Sequence, residues 1–174
     1  MPNKFNWKLE TGNWKLILGF TIIELLIVMG ILAVLSTFFI SGYTGTQRRA
    51  RDAERKSDLK QIANSLELYF NDHHRYTAAS GITIAGCPST GPTSCAWGSG
   101  PFTDGTTVYF KTVPGDPSNG FTYVYRTDAN GTNFRLYARL ENSDDPDIIT
   151  GLSENACHTT FGCNFAITSG NVNP

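Results

Sequence analysis

Two groups of acidic side chains in this sequence have types and spacings that could support chemistry. Glu24 lies alone in the predominantly apolar run Phe20–Ile40, where an ionised carboxylate needs a positive partner. Asp144, Asp145 and Asp147 form an acid-rich turn, preceded by the oxygen-bearing Asn142 and Ser143. Calcium takes six to eight oxygen ligands from such loops, so this turn is a candidate calcium site. The alternative is a solvated acidic turn that binds no metal.

The four cysteines form a third group and fall into two close pairs, Cys87/Cys95 and Cys157/Cys163. An even count at local spacing predicts two disulfides. The sequence does not fix the pairing, and our expectation is that each close pair is oxidised locally. The alternative is a zinc site that uses Cys157, His158 and Cys163, but it lacks the paired short cysteine spacings of structural zinc sites.

No catalytic residue is assigned, because the serine, histidine and acidic residues form no recognisable nucleophile setting and no glycine loop could hold phosphate. The segment 48–60 has six basic and three acidic residues, a net charge of +3. Beyond Lys60 the chain has five basic and ten acidic residues, a net charge of −5. A net acidic C-terminal part gives nucleic-acid binding no electrostatic support.

The run Phe20–Ile40 is 21 residues long, which is enough for a helix to span a bilayer. The segment before it, residues 1–19, has Lys4, Lys8 and Lys15 against Glu10. Positive charge before a span keeps that end in the cytoplasm. An ordinary secretory signal would be cut after its apolar part, where this chain has no good site.

The six residues Gly19-Phe20-Thr21-Ile22-Ile23-Glu24 resemble the processing site of type IV pilins and pseudopilins. The resemblance implies that residues 1–19 are a cytoplasmic leader, that a membrane peptidase cuts between Gly19 and Phe20, and that Phe20 is then methylated. It also implies that Glu24 registers the subunits during filament assembly. The positively charged Phe20 amine, in the same chain and in its neighbours, is the expected partner of this carboxylate.

Residues 42–76 are predicted to form an amphipathic helix that continues from a membrane and filament-core helix over residues 20–41. Leu59, Ile62 and Leu66 recur at helical spacing, and Asp52 and Lys56 form an attractive pair four residues apart. The segment 58–72 resembles the second half of the pilin helix, most closely that of the major pseudopilins of type II secretion. The proline that kinks the family's helix is absent, and Gly42 and Gly45 are the expected points of local melting.

Residues 77–174 are predicted to form a globular β head with disulfide loops. The glycine- and proline-rich stretch 78–105 reads as loop, and three strand signals follow at 107–111, 121–125 and 134–140. Asn130-Gly131 between the last two favours an antiparallel hairpin that packs on the apolar face of the helix. The resemblance also implies calcium in the loop after these strands, although Asp144, Asp145 and Asp147 do not follow the exact family pattern.

The sequence therefore predicts an α+β pilin fold and a structural subunit, not an enzyme. The resemblance implies a homo-oligomeric helical filament, a prepilin peptidase, an assembly ATPase with its platform protein, and minor pseudopilins as partners. It places the chain in the cytoplasmic membrane with a single span and the head outside the cytoplasm. The alternative is a membrane-anchored binding module, for example an adhesion or DNA-uptake protein. The sequence does not separate a secretion pseudopilus from a competence or surface pilus.

Overall fold

The structure is a computed structural model that describes residues 19–87, 93–170 and 172–174, without the side chains of residues 38–42, 86–87 and 93. The predicted leader, residues 1–18, lies outside this described part, apart from Gly19. The chain divides into two compact units, one ending at Gly42 and the other spanning Tyr43–Pro174. We describe each unit by itself.

One helix, α1, runs from Ile22 to His73 and belongs to both units. The helical assignment continues through Gly42 and Gly45, and local melting at these two positions stays a prediction. The helix ends where His74 adopts a left-handed backbone conformation, with φ of 55°, and donates its N–H to the Phe70 carbonyl at 2.7 Å. This end lies three residues before residue 76, the end predicted from the sequence.

In the second unit, one face of α1 forms the centre of the hydrophobic core. Leu59, Ile62 and Leu66 are fully buried, as the helical spacing predicted. They belong to one cluster with aromatic and aliphatic side chains of the head, including Tyr123, Tyr125, Phe102, Phe134 and Leu136. The second unit is therefore a helix packed on small antiparallel sheets, and the predicted α+β pilin fold is confirmed.

One antiparallel sheet of the head has three strands, β6 (Val124–Thr127), β7 (Phe134–Ala138) and β8 (Phe165–Thr168), in the order β6-β7-β8. Strand β8 was not predicted from the sequence. Strands β6 and β7 form the predicted hairpin, with Val124 opposite Tyr137 and Thr127 opposite Phe134. Its turn requires glycine at position 131, where φ is +67° and an added Cβ would lie 2.7 Å from the Tyr76 carbonyl oxygen.

The prediction that residues 78–105 form only loop was wrong. This stretch contains a three-stranded antiparallel sheet of β1 (Ala79–Ser80), β2 (Thr83–Cys87) and β3 (Thr93–Cys95). It also contains β4 (Phe102–Thr103), which pairs with β5 (Val108–Phe110). Ile84 and Phe102 are fully buried, so core burial stabilises these short strands in spite of their glycine-rich surroundings.

Candidate functional site

The predicted processing site lies directly before α1. Gly19, Phe20 and Thr21 are not helical, and Phe20 is 83% exposed. Thr21 caps the helix, because its Oγ1 accepts the Glu24 backbone N–H at 3.2 Å. Glu24 is thereby placed in the first turn, where the partial positive charge of the helix N-terminus favours a carboxylate. Its side chain is exposed and has no ion pair among the described residues.

The helix that follows Glu24 exposes apolar side chains around its whole circumference. Between Ile22 and Leu35 the large apolar side chains are 46–81% exposed. A helix that is hydrophobic on all sides is buried in lipid or against other helices. The members of this set are Ile22, Ile23, Leu25, Leu26, Ile27, Val28, Met29, Ile31, Leu32, Val34 and Leu35.

Among the described residues, no helix is both long and apolar enough to cross a membrane. The span predicted over Phe20–Ile40 ends in residues 38–40, whose side chains lie outside the described set.

The second unit contains a buried ionic cluster around Arg55, whose side chain is fully buried. Its Nε and Nη2 donate to the two carboxylate oxygens of Asp116, each at 2.8 Å. Nη1 donates to Asp52 at 2.8 Å, and Nη2 also lies 2.9 Å from Glu141 Oε1. We call Asp52, Arg55, Asp116 and Glu141 the Arg55 cluster. Burial lowers the pKa of Arg55, but hydrogen bonds and charge from Asp116, with Glu141 and Asp52, outweigh it and raise the pKa overall.

The Arg55 cluster fastens α1 to two loops of the head. Asp52 accepts the backbone N–H groups of Glu141 at 2.9 Å and Asn142 at 2.8 Å, which holds the chain after β7. Asp116 accepts the Ser118 backbone N–H at 2.8 Å, which holds the loop before β6. Every charged group of the cluster thus has the partners that a buried charge requires.

Arg51 forms a second ion pair with Glu141 and is less buried than Arg55. Its Nε and Nη2 lie 2.8 and 2.5 Å from the two carboxylate oxygens of Glu141, a bidentate arrangement. The hydrogen bond from Arg51, with further bonds from Arg55 and Ser118, lowers the pKa of Glu141 to about 2. Glu141 is therefore ionised at any physiological pH.

A lysine forms ion pairs with two of the three predicted calcium ligands. Lys56 Nζ lies 2.6 Å from Asp145 Oδ1 and 2.6 Å from Asp147 Oδ2. The sequence had suggested that Lys56 pairs with Asp52. In the structure Asp52 pairs with Arg55 instead. Asp144 is exposed and has no ion pair within the described residues. The described part of the chain holds no group of three or more acidic, histidine or cysteine side chains arranged for a metal ion, and calcium binding stays a prediction.

A disulfide closes a loop that packs beside β6. Cys157 and Cys163 are bonded, with their Cα atoms 5.2 Å apart, so neither sulfur is a thiolate available to zinc. The Thr122 N–H donates to the Cys157 carbonyl at 2.9 Å, and the His158 ring packs against the Phe121 ring at 4.6 Å between centroids. Cys95 is also disulfide-bonded. The side chain of its expected partner, Cys87, lies outside the described residues.

Sequence reasoning missed the Arg55 cluster. The one available signal was the charge imbalance, a net +3 in residues 48–60 against a net −5 beyond them. That imbalance predicts attraction between helix and head, but it does not say that Arg55, Asp116 and Glu141 meet. Sequence reasoning also missed Asp58, whose carboxylate accepts a hydrogen bond from the hydroxyl of the buried Tyr123 at 2.8 Å.

Comparison with known proteins gives several relatives of similar kind. The type II secretion system core protein G of Pseudomonas aeruginosa is 30% identical over 122 residues, which cover 69% of this chain and 80% of that protein. The core protein G of Aeromonas hydrophila is 28% identical over 101 residues, 57% of this chain and 66% of the relative. The type IV wide pilus major component of Thermus thermophilus is 36% identical over 67 residues, 38% of this chain and 51% of the relative.

The chain thus spans slightly less than two-thirds of the length of the Aeromonas protein, and 65% of the core protein G of Escherichia coli. No family profile matches the chain, and no solved structure matches it. Agreement with the Pseudomonas protein over most of both chains, together with the long helix packed on small antiparallel sheets, establishes the relationship. This chain belongs to the family of type II secretion core protein G, the major pseudopilins, and type IV pilins.

Proposed function

We propose that this chain is a structural subunit of a type II secretion-like or type IV pilus-like filament, and that it polymerises through the N-terminal part of α1. One observation supports this proposal above the others: the apolar side chains between Ile22 and Leu35 are exposed on every side of the helix. Burying such surface is the main favourable term in association, at about 25 cal/mol per Å². Copies of the same helix, packed side by side, provide the apolar cover.

Before assembly, lipid provides the same cover. The precursor is held in the cytoplasmic membrane by this helix, with its head outside the cytoplasm. A prepilin peptidase then cuts between Gly19 and Phe20 and Phe20 is methylated. The non-helical backbone at Gly19 and Phe20 and the exposure of Phe20 support cleavage here, since a protease needs an accessible and extended substrate.

Cleavage creates a positive amine at Phe20, four residues before Glu24. In a filament of packed helices the Glu24 carboxylate pairs with the Phe20 amine of a neighbour, because an unpaired charge in an apolar interface is costly. This contact sets the register between subunits. The partners of the subunit in assembly are an ATPase with its platform protein and minor pseudopilins. The role of the subunit is mechanical and not enzymatic.

The identity of the mature N-terminus tests the proposal. Filaments sheared from cells that express the full chain, followed by N-terminal sequencing and intact-mass measurement, should yield a subunit that begins at Phe20 and bears one added methyl group. A Gly19→Val precursor should stay uncut in the membrane and build no filament. Filaments built of chains that start at Met1, or at a residue beyond Ala33, would contradict it.

A further inference from the structure

The acidic turn after β7 already holds a cation that belongs to the chain itself. The Lys56 ammonium lies 2.6 Å from an oxygen of Asp145 and 2.6 Å from an oxygen of Asp147. Two carboxylates from one turn therefore converge on a single positively charged atom, and charge-assisted hydrogen bonds of this length are among the strong ones.

The position of Lys56 is fixed by its neighbour on the helix. Arg55 is fully buried in its ionic cluster, so the backbone at this turn of α1 cannot shift without disrupting that cluster. The Lys56 side chain leads from there to the turn, about a quarter exposed, with its ammonium 5.9 Å from the centre of the Phe165 ring in β8. The ammonium is thus held between the helix, the acidic turn and the last strand.

Lys56 and Asp145 each stabilise the charged form of the other. Burial lowers the pKa of Lys56, but hydrogen bonds to Asp145 and Asp147 outweigh it and raise the pKa overall. The hydrogen bond from Lys56 in turn lowers the pKa of Asp145. Both partners are therefore ionised at neutral pH, as an ion pair requires.

The turn is otherwise closed by its own backbone. The Asp145 N–H donates to the Asn142 carbonyl, and the Ile148 N–H donates to the Asp145 carbonyl, each at 3.2 Å. Asp145 Oδ1 also accepts the Asp147 N–H at 3.0 Å. These backbone hydrogen bonds do not offset the repulsion between the carboxylates of the turn, which requires a positive charge.

We propose that the Lys56 ammonium takes the place of the calcium ion expected from the sequence as the structural cation of the acidic turn, and that it makes the order of the turn independent of a divalent metal ion. Because the lysine is part of the chain, its local concentration at the turn is fixed by α1. The acidic turn then stays ordered at any calcium concentration.

Thermal melting of the purified full chain in mild detergent tests this proposal. The melting temperature of the unmutated chain should be the same in millimolar calcium and in chelator. Lys56→Met, which keeps the apolar stem and removes the charge, should lower it by roughly 2–4 °C. Lys60→Met is the matched control, because Lys60 is exposed and has no ion pair in the described part of the chain, and it should leave the melting temperature unchanged.

The loss of packing is separated from the loss of charge by a double-mutant cycle. In a chain that already bears Asp145→Asn and Asp147→Asn, the Lys56→Met change should lower the melting temperature much less than it does alone. Three results would overturn the proposal: a melting temperature of the unmutated chain that rises in calcium, a Lys56→Met variant that melts with the unmutated chain, or an equal effect of Lys56→Met in both backgrounds.

Discussion

Arg55 and Asp116 form a two-pronged ion pair, with Arg55 Nε and Nη2 each 2.8 Å from a different oxygen of the same carboxylate. Both side chains are almost completely shielded from solvent, at 0% and 1% exposure. The two residues are 61 positions apart in the chain, and their contact joins α1 to the loop before β6. A buried pair of this kind constrains geometry more than it adds net stability, because desolvation offsets much of the attraction.

Removal of the Arg55 charge should therefore be far more harmful than its net contribution suggests. Arg55→Met leaves Asp52 and Asp116 buried without a positive partner, which should cost about 3–5 kcal/mol of the free energy of unfolding. Arg48→Met is the control, since Arg48 is exposed and has no ion pair among the described residues, and it should change this free energy by less than about 0.5 kcal/mol. Denaturant unfolding of the purified chain measures both, and equal stabilities of the two variants would contradict the structural role of the Arg55 cluster.

The pH dependence of the free energy of unfolding should include a contribution from protonation of Glu141. Its pKa in the folded chain is lowered from 4.5 to about 2. A lowered folded pKa contributes stability that is present above the ordinary pKa and is lost as the pH falls through the folded pKa. Stability should thus fall between about pH 5 and pH 2, with a share from Glu141 on the order of 3 kcal/mol or less.

The Glu141→Gln variant should be less stable than the unmutated chain at neutral pH and should lose less on acidification. The control is Glu54→Gln, because Glu54 is an exposed acid of the same helix without an ion pair in the described residues. The measurement is the free energy of unfolding at pH 7 and pH 3. An acid-induced loss as large in Glu141→Gln as in the unmutated chain would show that Glu141 does not contribute to it.

Both cysteine pairs should be oxidised locally in protein taken from its native compartment. Peptide mapping without reductant should find Cys157 joined to Cys163, as in the structure, and Cys87 joined to Cys95. Reduction opens loops of only a few residues, so each bond should contribute about 2–3 kcal/mol in the chain-entropy model. Free thiols at any of the four positions, or a bond between the two pairs, would refute local pairing.

The features that the sequence predicts well are local in the chain. Glu24 follows Gly19 by five residues, the apolar stripe of α1 repeats every three or four, and Asn130-Gly131 marks a hairpin turn between neighbouring strands. Each signal depends on residues that contact their near neighbours, so spacing alone is informative. The family relationship, the helix and the β6–β7 hairpin follow from signals of this kind.

The features that the sequence does not reveal depend on distant contacts. Arg55 meets Asp116 across 61 positions, and Lys56 meets Asp145 across 89. Charge composition predicts that such groups attract one another, but it assigns no partners. The short strands β1–β4 were missed for the same reason, because tertiary burial of Ile84 and Phe102 overrides the weak strand preference of their glycine-rich surroundings.

The pairing of Glu24 with a neighbour's Phe20 amine is the central claim, and filament yield from a Glu24→Ala chain tests it most directly. Insertion should be unharmed, since the change removes a costly charge from an apolar segment. Membrane fractionation should therefore find the processed subunit at normal level, while sheared filaments should be lost. Glu54→Ala, which removes an exposed acid of the same helix, should assemble normally. A normal filament yield from Glu24→Ala, with the subunit processed and inserted, would contradict the account.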